Sequence, residues 1–431
     1  MSPRRPPSGP LLREWSLLLI VLSGMLVPSC LHGSPARRDY DGYLAFYNGQ
    51  SGSSVYHISS ATSADGVHWT RNPRIPVLAP TAGWESRQTV APCAVAQGDL
   101  IYLYYSGYNG RKYQIGLAVS RDRGRTFVRH PANPVVRVGE RGAVDELGAG
   151  YCTVIYDPSD PDPAKRWKMW YRAQDWTKRS TIAYCYSPDG VIWHKFGRVL
   201  DLGAPGAWDD NALETGAAPV KIDDTWHMFY SGNHTYAGRT RWGGGLVTFT
   251  SPEGEYTRHG QVVFPLDTHA TRLTADMVRG SRLVVVADTS IFQVNEGVFL
   301  TDNVTPPKQN RIVRIVSATQ LELRDEAGAD FFTRYSAALR SVYSWSVGPR
   351  SVFWDHDRWV MPVTSFQQNN DIRKSYLTEL STWAYNQNPA LTGKWTFDMD
   401  RGVAVDLGKS GDEAVSADNW SVIRLPAMAL P

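Results

Sequence analysis

Residues 187–193 read SPDGVIW, and this stretch decides how the rest of the chain is read. Ser187, Asp189 and Gly190 spell a tight polar turn. Ser and Asp side chains accept from nearby backbone N–H groups, and Gly takes backbone angles closed to other residues. A bulky ring, Trp193, follows at once. The same turn is written as SADGVHW (63–69), as SRDRGRTF (120–127) and, more weakly, as SPEGEY (251–256). The copies start at Ser63, Ser120, Ser187 and Ser251, at intervals of 57, 67 and 64 residues, the mark of a repeated unit.

Each turn closes an apolar alternating stretch: YHISSAT, IGLAVS, IAYCYS and LVTFTS. Further upstream lies a second such stretch: YLAFYNG (43–49), IYLYYSG (101–107), WKMWYRA (167–173) and WHMFYSG (226–232). Ahead of the last three comes a third: TVAPCAV (89–95), GYCTVIY (150–156) and GAAPVKI (216–222). The residues after each turn (VHWTRN, RTFVRH, VIWHKF, YTRHG) supply a fourth. Beyond residue 30 no helical period persists for more than a few turns. Each unit is therefore expected to be four short antiparallel strands, and the protein all-β. Four-stranded sheets repeated at this period without helices spell a β-propeller.

The blade count follows from the weaker copies. LTADMVRGSRLVVVADT (273–289) with GVFLTD (297–302) reads as a fifth unit, and PRSVFWDHDRWVMPVTS (349–365) with YLTELST and KWTF as a sixth. The first unit lacks its innermost strand, and WSVIRLPAMAL (420–430) is expected to supply it and close the ring. That gives six blades in a single domain over 38–431. Five is the alternative, if 290–340 is an insertion. A ring closed between its two ends cannot be divided into domains.

A formal net charge of +3 with 20% charged residues is too weak a bias for nucleic acid or an anionic membrane surface. The 16 Trp and 21 Tyr suit strands and interblade packing first, and stacking on sugar rings second. Residues 1–30 carry Arg4, Arg5 and Arg13, then the apolar run SLLLIVLSGMLV (16–27), and read as a secretory signal. Cys30, in LVPSC, stands where a lipoprotein signal places its acylated cysteine. The mature protein is thus expected to be exported, extracellular or periplasmic, soluble or lipid-anchored at Cys30, without a transmembrane span, and monomeric. Of Cys93, Cys152 and Cys185, the first two fall on comparable strands of successive units and are the candidate disulfide, with buried free thiols as the alternative. Asn233, Asn303 and Asn419 open N-x-S/T triplets.

In a propeller the starts of the innermost strands face one mouth of the central channel. The residues just ahead of them are Trp84, Glu85 and Arg87 in GWESRQTVAP, and Asp145 and Glu146 in AVDELGAGY. Trp208, Asp209, Asp210 and Glu214 follow in AWDDNALETGAAP, then Arg272 and Asp276 in TRLTADM, and Trp345 and Arg350 in WSVGPRS. Acidic residues recur at one phase of consecutive units. Glycoside cleavage needs such a gathering: one carboxyl donates a proton to the leaving oxygen, another activates water or attacks the anomeric carbon. Glu214, Asp145, Glu146, Glu85 and Asp210 are the candidate catalytic carboxylates. Trp84, Arg87, Trp208, Arg272, Trp345 and Arg350 are the candidate substrate contacts.

These features together resemble the β-propeller glycosidases of glycoside hydrolase families 32, 43, 62, 68 and 130. The resemblance rests on W-D/E before the innermost strand, YYSG or FYSG on the second and S-x-D-G-x-x-W after the third. It covers residues 40–260 reasonably and the remainder poorly. It implies five blades, a furanoside, xyloside, fructan or mannoside as substrate (a furanoside-type or related glycan is expected), and carboxylates from separate blades. It makes Glu214 the general acid through LETGAAP, Asp145 or Glu146 the third carboxylate, and leaves Asp39 or Asp41 as the base. A second resemblance, to sialidases, rests on SRDRGRTF and on IRLPAMA (423–429), and would gather Arg272 and Arg350 around a substrate carboxylate. A carbohydrate-binding or adhesion propeller without catalysis, or a surface scaffold, remains the non-enzymatic alternative. No cofactor or metal motif appears, although a structural cation in the channel, near His227, His234 and His269, is compatible with the pattern.

Overall fold

A computed structural model of the chain describes residues 40–50, 55–66, 69–72, 76–236, 239–263, 270–292, 294, 297–302, 304–305, 308–341, 347–349, 351–355, 358–368, 377–386, 396–398 and 416–426. The chain divides into two compact units, Met1–Asp39 and Tyr40–Pro431, and everything described lies in the second. The signal expected over 1–30, with Cys30, lies outside the described residues, as do Asp39, His269, Trp345 and Arg350. The described residues are strands joined by turns, with two three-residue 3-10 turns at Pro163–Lys165 and Thr333–Tyr335. No helix among them is long and apolar enough to cross a membrane.

The alternating apolar stretches form antiparallel sheets in the order read from sequence. The first sheet runs Ser416–Pro426, Tyr40–Gln50, Tyr56–Ser63, Thr70–Arg71, so the C-terminal strand does pair with the first, with Leu44 opposite Ile423. The second runs Gln88–Gln97, Leu100–Tyr108, Tyr113–Ser120, Val128–Arg129. The third runs Gly148–Tyr156, Trp167–Gln174, Ser180–Ser187, His194–Leu200, and a parallel pairing of Ser180 with Ala212 joins it to the fourth in one nine-stranded sheet. In the fourth, Ala212–Thr215 and Val220–Ile222 share the first position, followed by Thr225–Tyr236, Arg239–Phe249 and Thr257–Val263. The last holds Val347–Pro349 and Phe353–Asp355 beside Arg358–Gln368, then Leu377–Asn386 and Thr396–Asp398. Between the fourth sheet and the last, strands from Ala270–Arg272 to Ala338–Ser341 make a six-stranded sheet instead of a four-stranded one. It has its own core, around Leu273, Val284, Ile312, Leu321 and Phe331.

First strands of neighbouring sheets pack together: the C-terminal strand on the second sheet, the second on the third, the third on the fourth. The last sheet packs on both the fourth sheet and the C-terminal strand. The quoted turn is part of this packing. The Ser187 hydroxyl bonds Asp189 Oδ1 and accepts from Gly190 N at 2.9 Å, and Asp189 Oδ1 accepts from the N–H groups of Val191 and Ile192 at 2.8 Å. Ser63 with Asp65, and Ser120 with Asp122, repeat the hydroxyl–carboxylate bond. The ring after each of the last three turns meets the preceding sheet: Phe127 against Phe46, Trp193 against Tyr104, and Tyr256 accepting from Trp170 Nε1 at 2.7 Å. Cys93, Cys152 and Cys185 are buried free thiols in one core cluster, so the Cys93–Cys152 disulfide is not formed. Apolar surroundings suit the neutral thiol, and burial pushes Cys93 up to about 11.

The glycines of YYSG and FYSG have a packing reason. Trp84 covers Gly107 and Gly116, and Trp208 covers Gly232 and Gly245. A Cβ at Gly245 would sit 2.6 Å from Tyr230 Cε1 and 2.7 Å from Trp208 Cζ2. In the third sheet Val144 replaces the Trp, and alanines, Ala173 and Ala183, replace the glycines; Val144 packs on the cluster that holds them. Gly245→Ala is therefore expected to destabilise by about 1–3 kcal/mol through overpacking. Adding Trp208→Val should recover part of that loss, read as coupling in a double-mutant cycle of urea midpoints.

Candidate active site

The acidic residues ahead of the first strands divide into two sets. Glu85, Asp145 and Asp209 are each no more than 2% exposed and sit at one position of successive units. Each meets a tyrosine of the second strand and a cation of the fourth. Asp145 Oδ2 accepts from Tyr171 at 3.0 Å and from Lys195 Nζ at 2.5 Å. Asp209 Oδ2 accepts from Tyr230 at 2.8 Å and from Arg258 Nε at 3.3 Å. Glu85 Oε1 accepts from Arg129 Nε at 2.7 Å and also from Thr81. Burial and then the neighbouring carboxylate push Tyr105 and Tyr230 above the ordinary tyrosine range. Three buried charges, each with a cation and a phenol, are clamps that tie the turn to its sheet. Glu146 and Asp210, next in sequence, cap the same turns, accepting from Gly142 N and Gly206 N at 2.7 Å. Asp210 also bonds His234 Nδ1 at 2.7 Å.

Glu214 stands apart. It pairs with Ser231 in register, where Val90 faces Ser106 and Gly150 faces Arg172. Apolar or absent side chains in the other two sheets thus give way to a carboxylate, 7% exposed. Its Oε1 accepts from Arg172 Nη1 at 3.0 Å. Arg172 itself replaces the serine of YYSG and FYSG, and its Nε donates to Ser180 at 3.2 Å. The guanidinium lies 5.4 Å from the centre of the Tyr151 ring.

Tyr151 is held by an unusual backbone. It is the bulged residue of its strand, at φ 49°, the equivalent of Ala91 at φ 51°. Side chains seldom take this left-handed region, and bulges re-aim residues next to sites. The Tyr151 N–H donates to Ser106 Oγ of the preceding sheet at 2.6 Å, as Ala91 N–H donates to Asn48 Oδ1 at 2.7 Å. Tyr113 meets the Tyr151 ring edge-on at 5.4 Å, stacks on Tyr108 at 4.5 Å, and donates to Gln88 Oε1 at 2.9 Å. Burial first, then Tyr113 and Glu214 beside it, push Tyr151 well above the ordinary range, against the pull of Arg172. A carboxylate, a guanidinium and half-buried phenols thus meet where the second, third and fourth sheets join, a set able to hold polyhydroxy rings and exchange protons with them.

The structure does not place Glu85, Asp145, Glu146 or Asp210 in hydrogen-bond contact with Glu214. Trp84 and Trp208 pack over glycines and against Tyr105 and Tyr230, at 5.8 and 5.5 Å, instead of forming open platforms. Arg87 is exposed, beside Gly110 in the tip that carries Tyr108 and Tyr113. Arg272 is exposed on the six-stranded sheet, whereas Arg424 of IRLPAMA is on the first sheet. Among the described residues no three His, Cys, Asp or Glu side chains gather as a metal site. Sequence reading missed Arg172, Tyr151, Tyr113 and Gln88. The signal for Arg172 was a charged side chain where the equivalent positions of the other units hold Asn48, Ser106 and Ser231.

Strand-built units, paired C- and N-terminal strands and a recessed carboxylate among aromatic rings define the class: an all-β protein of repeated antiparallel sheets. Residues 41–249 match the family described as β-1,4-mannooligosaccharide phosphorylase, glycoside hydrolase family 130. The chain is 30% identical over 243 residues to Uncharacterized protein MT1551 of Mycobacterium tuberculosis (strain CDC 1551 / Oshkosh), covering 52% of this chain and 72% of that protein. A crystal structure of a glycosyl hydrolase from Bacteroides ovatus matches 83% of this chain and 84% of its own at 12% identity and TM-score 0.50, a likeness of fold. A β-1,2-mannobiose phosphorylase from Listeria innocua is similar at 17% identity and TM-score 0.39; the match covers 54% of this chain and 63% of that one. The chain belongs to the β-propeller glycosidase superfamily, in one family with MT1551.

Proposed function

We propose that the protein is an exported enzyme that cleaves β-mannosidic linkages, with Glu214 as the carboxylate that exchanges the proton at the glycosidic bond. Within the furanoside-type or related glycans expected from sequence, the family match supports a mannoside. The observation that carries the reading is the Glu214–Arg172 pair beside Tyr151, charged and polar where the equivalent positions of the second sheet hold Val90 and Ser106. A guanidinium donor suits a charged acceptor. The five four-stranded or equivalent sheets, with the six-stranded sheet inserted between the fourth and the last, support a five-bladed propeller closed by the C-terminal strand.

The test is product analysis. The protein is incubated with β-1,4-mannobiose with and without inorganic phosphate. Mannose 1-phosphate formed only with phosphate identifies a phosphorylase, and free mannose at equal rates in both identifies a hydrolase. No cleavage of this or other β-linked mannosides, with tight binding retained, would instead make it a carbohydrate-binding protein.

A further inference from the structure

Trp176 is 69% exposed, the most exposed large aromatic side chain among the described residues. It stands on the turn between the second and third strands of the third sheet, four residues beyond Arg172. The turn is firmly built. Asp175 Oδ1 accepts from Thr177 N at 3.0 Å, Thr177 Oγ1 at 2.5 Å and Arg179 N at 3.2 Å, and Asp175 Oδ2 accepts from Arg198 at 3.1 Å. A large apolar ring is thus held out in water by a turn already ordered before any ligand arrives.

Its position relates it to the site. Gln88 pairs with Tyr108, Gly148 with Gln174, and Ala212 with Asn233. The starts of the first strands therefore lie at the same end as the turns between second and third strands. Trp176 and the Tyr108–Tyr113 stack, half-buried on the neighbouring turn, stand at the end that holds Glu214 and Arg172. Four residues of strand span at most ~13 Å, a distance bridged by a short oligosaccharide. Aromatic faces bind the apolar face of a pyranose, and a rigid ring loses little entropy in doing so.

We infer that Trp176, with Tyr108 and Tyr113, forms a rim that holds sugar units beyond the cleaved bond and makes the protein prefer longer glycans. This rests on the mannoside reading above. Binding of β-1,4-mannotetraose and β-1,4-mannobiose to the full chain is measured by calorimetry, with Trp176→Ala and Trp176→Phe. Trp176→Ala should weaken tetraose binding about tenfold and leave mannobiose unchanged, and Trp176→Phe should recover most of the loss. Equal affinity of the Trp176→Ala protein and the parent for the tetraose, an equal loss for both sugars, or no tetraose binding by the parent would overturn the inference. Turnover of mannobiose by the same proteins is followed in parallel. Its absence counts against the cleavage reading alone, and its presence with unchanged tetraose binding in Trp176→Ala counts against the rim alone.

Discussion

Glu214→Gln is expected to lower kcat on a responsive β-mannoside by about 10²- to 10⁴-fold, the usual contribution of a side chain that transfers a proton in the transition state. The substitution keeps the shape of the side chain and its acceptor toward Arg172 Nη1, which now lies 3.0 Å from Oε1. It removes only the ionisable carboxyl group. Glycan affinity should therefore fall far less than turnover, and the melting temperature should change little. Progress curves and calorimetry on the same preparation separate these outcomes. Unchanged turnover would remove Glu214 from the chemistry, and parallel losses of turnover and binding would make it a sugar contact.

Asp145→Ala should fail differently. The Asp145 carboxylate is 1% exposed and holds the buried Tyr171 hydroxyl and Lys195 Nζ. Removing one member of a buried pair leaves the others without a counterpart, at a cost of several kcal/mol. Lys195 is a third exposed, so water relieves part of the cost, and about 3 kcal/mol is expected. The urea midpoint should drop accordingly, while the folded fraction keeps its kcat. Asp145→Asn, which preserves an acceptor for Tyr171, should lose less. A normal midpoint with lost turnover would return Asp145 to the catalytic role that its sequence position suggested.

The two carboxylates show where the sequence was legible. The repeated turn was readable because Ser187, Asp189 and Gly190 act locally, and the strand order followed from it. Glu85, Asp145 and Asp209 were rightly placed at one phase, yet phase does not reveal which way a carboxylate faces. The clue lay in the same repeats: Tyr105, Tyr171 and Tyr230 on the second strand, and Arg129, Lys195 and Arg258 on the fourth, recur with them. A carboxylate that travels with a tyrosine and a cation marks a clamp, and one that appears once marks a site. Glu214 appears once, without the second-strand tyrosine and fourth-strand cation that accompany the other three carboxylates. Tyr151 was out of reach, because its orientation depends on a bulge and on Ser106 of another sheet. The six-stranded sheet was legible only in part: its short strands mimic a degenerate repeat, and the alternative of an insertion covered 290–340 alone.

The most direct test of the account is the crystal structure of the Glu214→Gln protein with β-1,4-mannotetraose. The account expects the glycosidic oxygen within hydrogen-bond reach of the side chain at 214, a ring against Tyr151, and Arg172 within reach of the sugar. A glycan seated elsewhere, with Glu214 and Arg172 untouched, would contradict it.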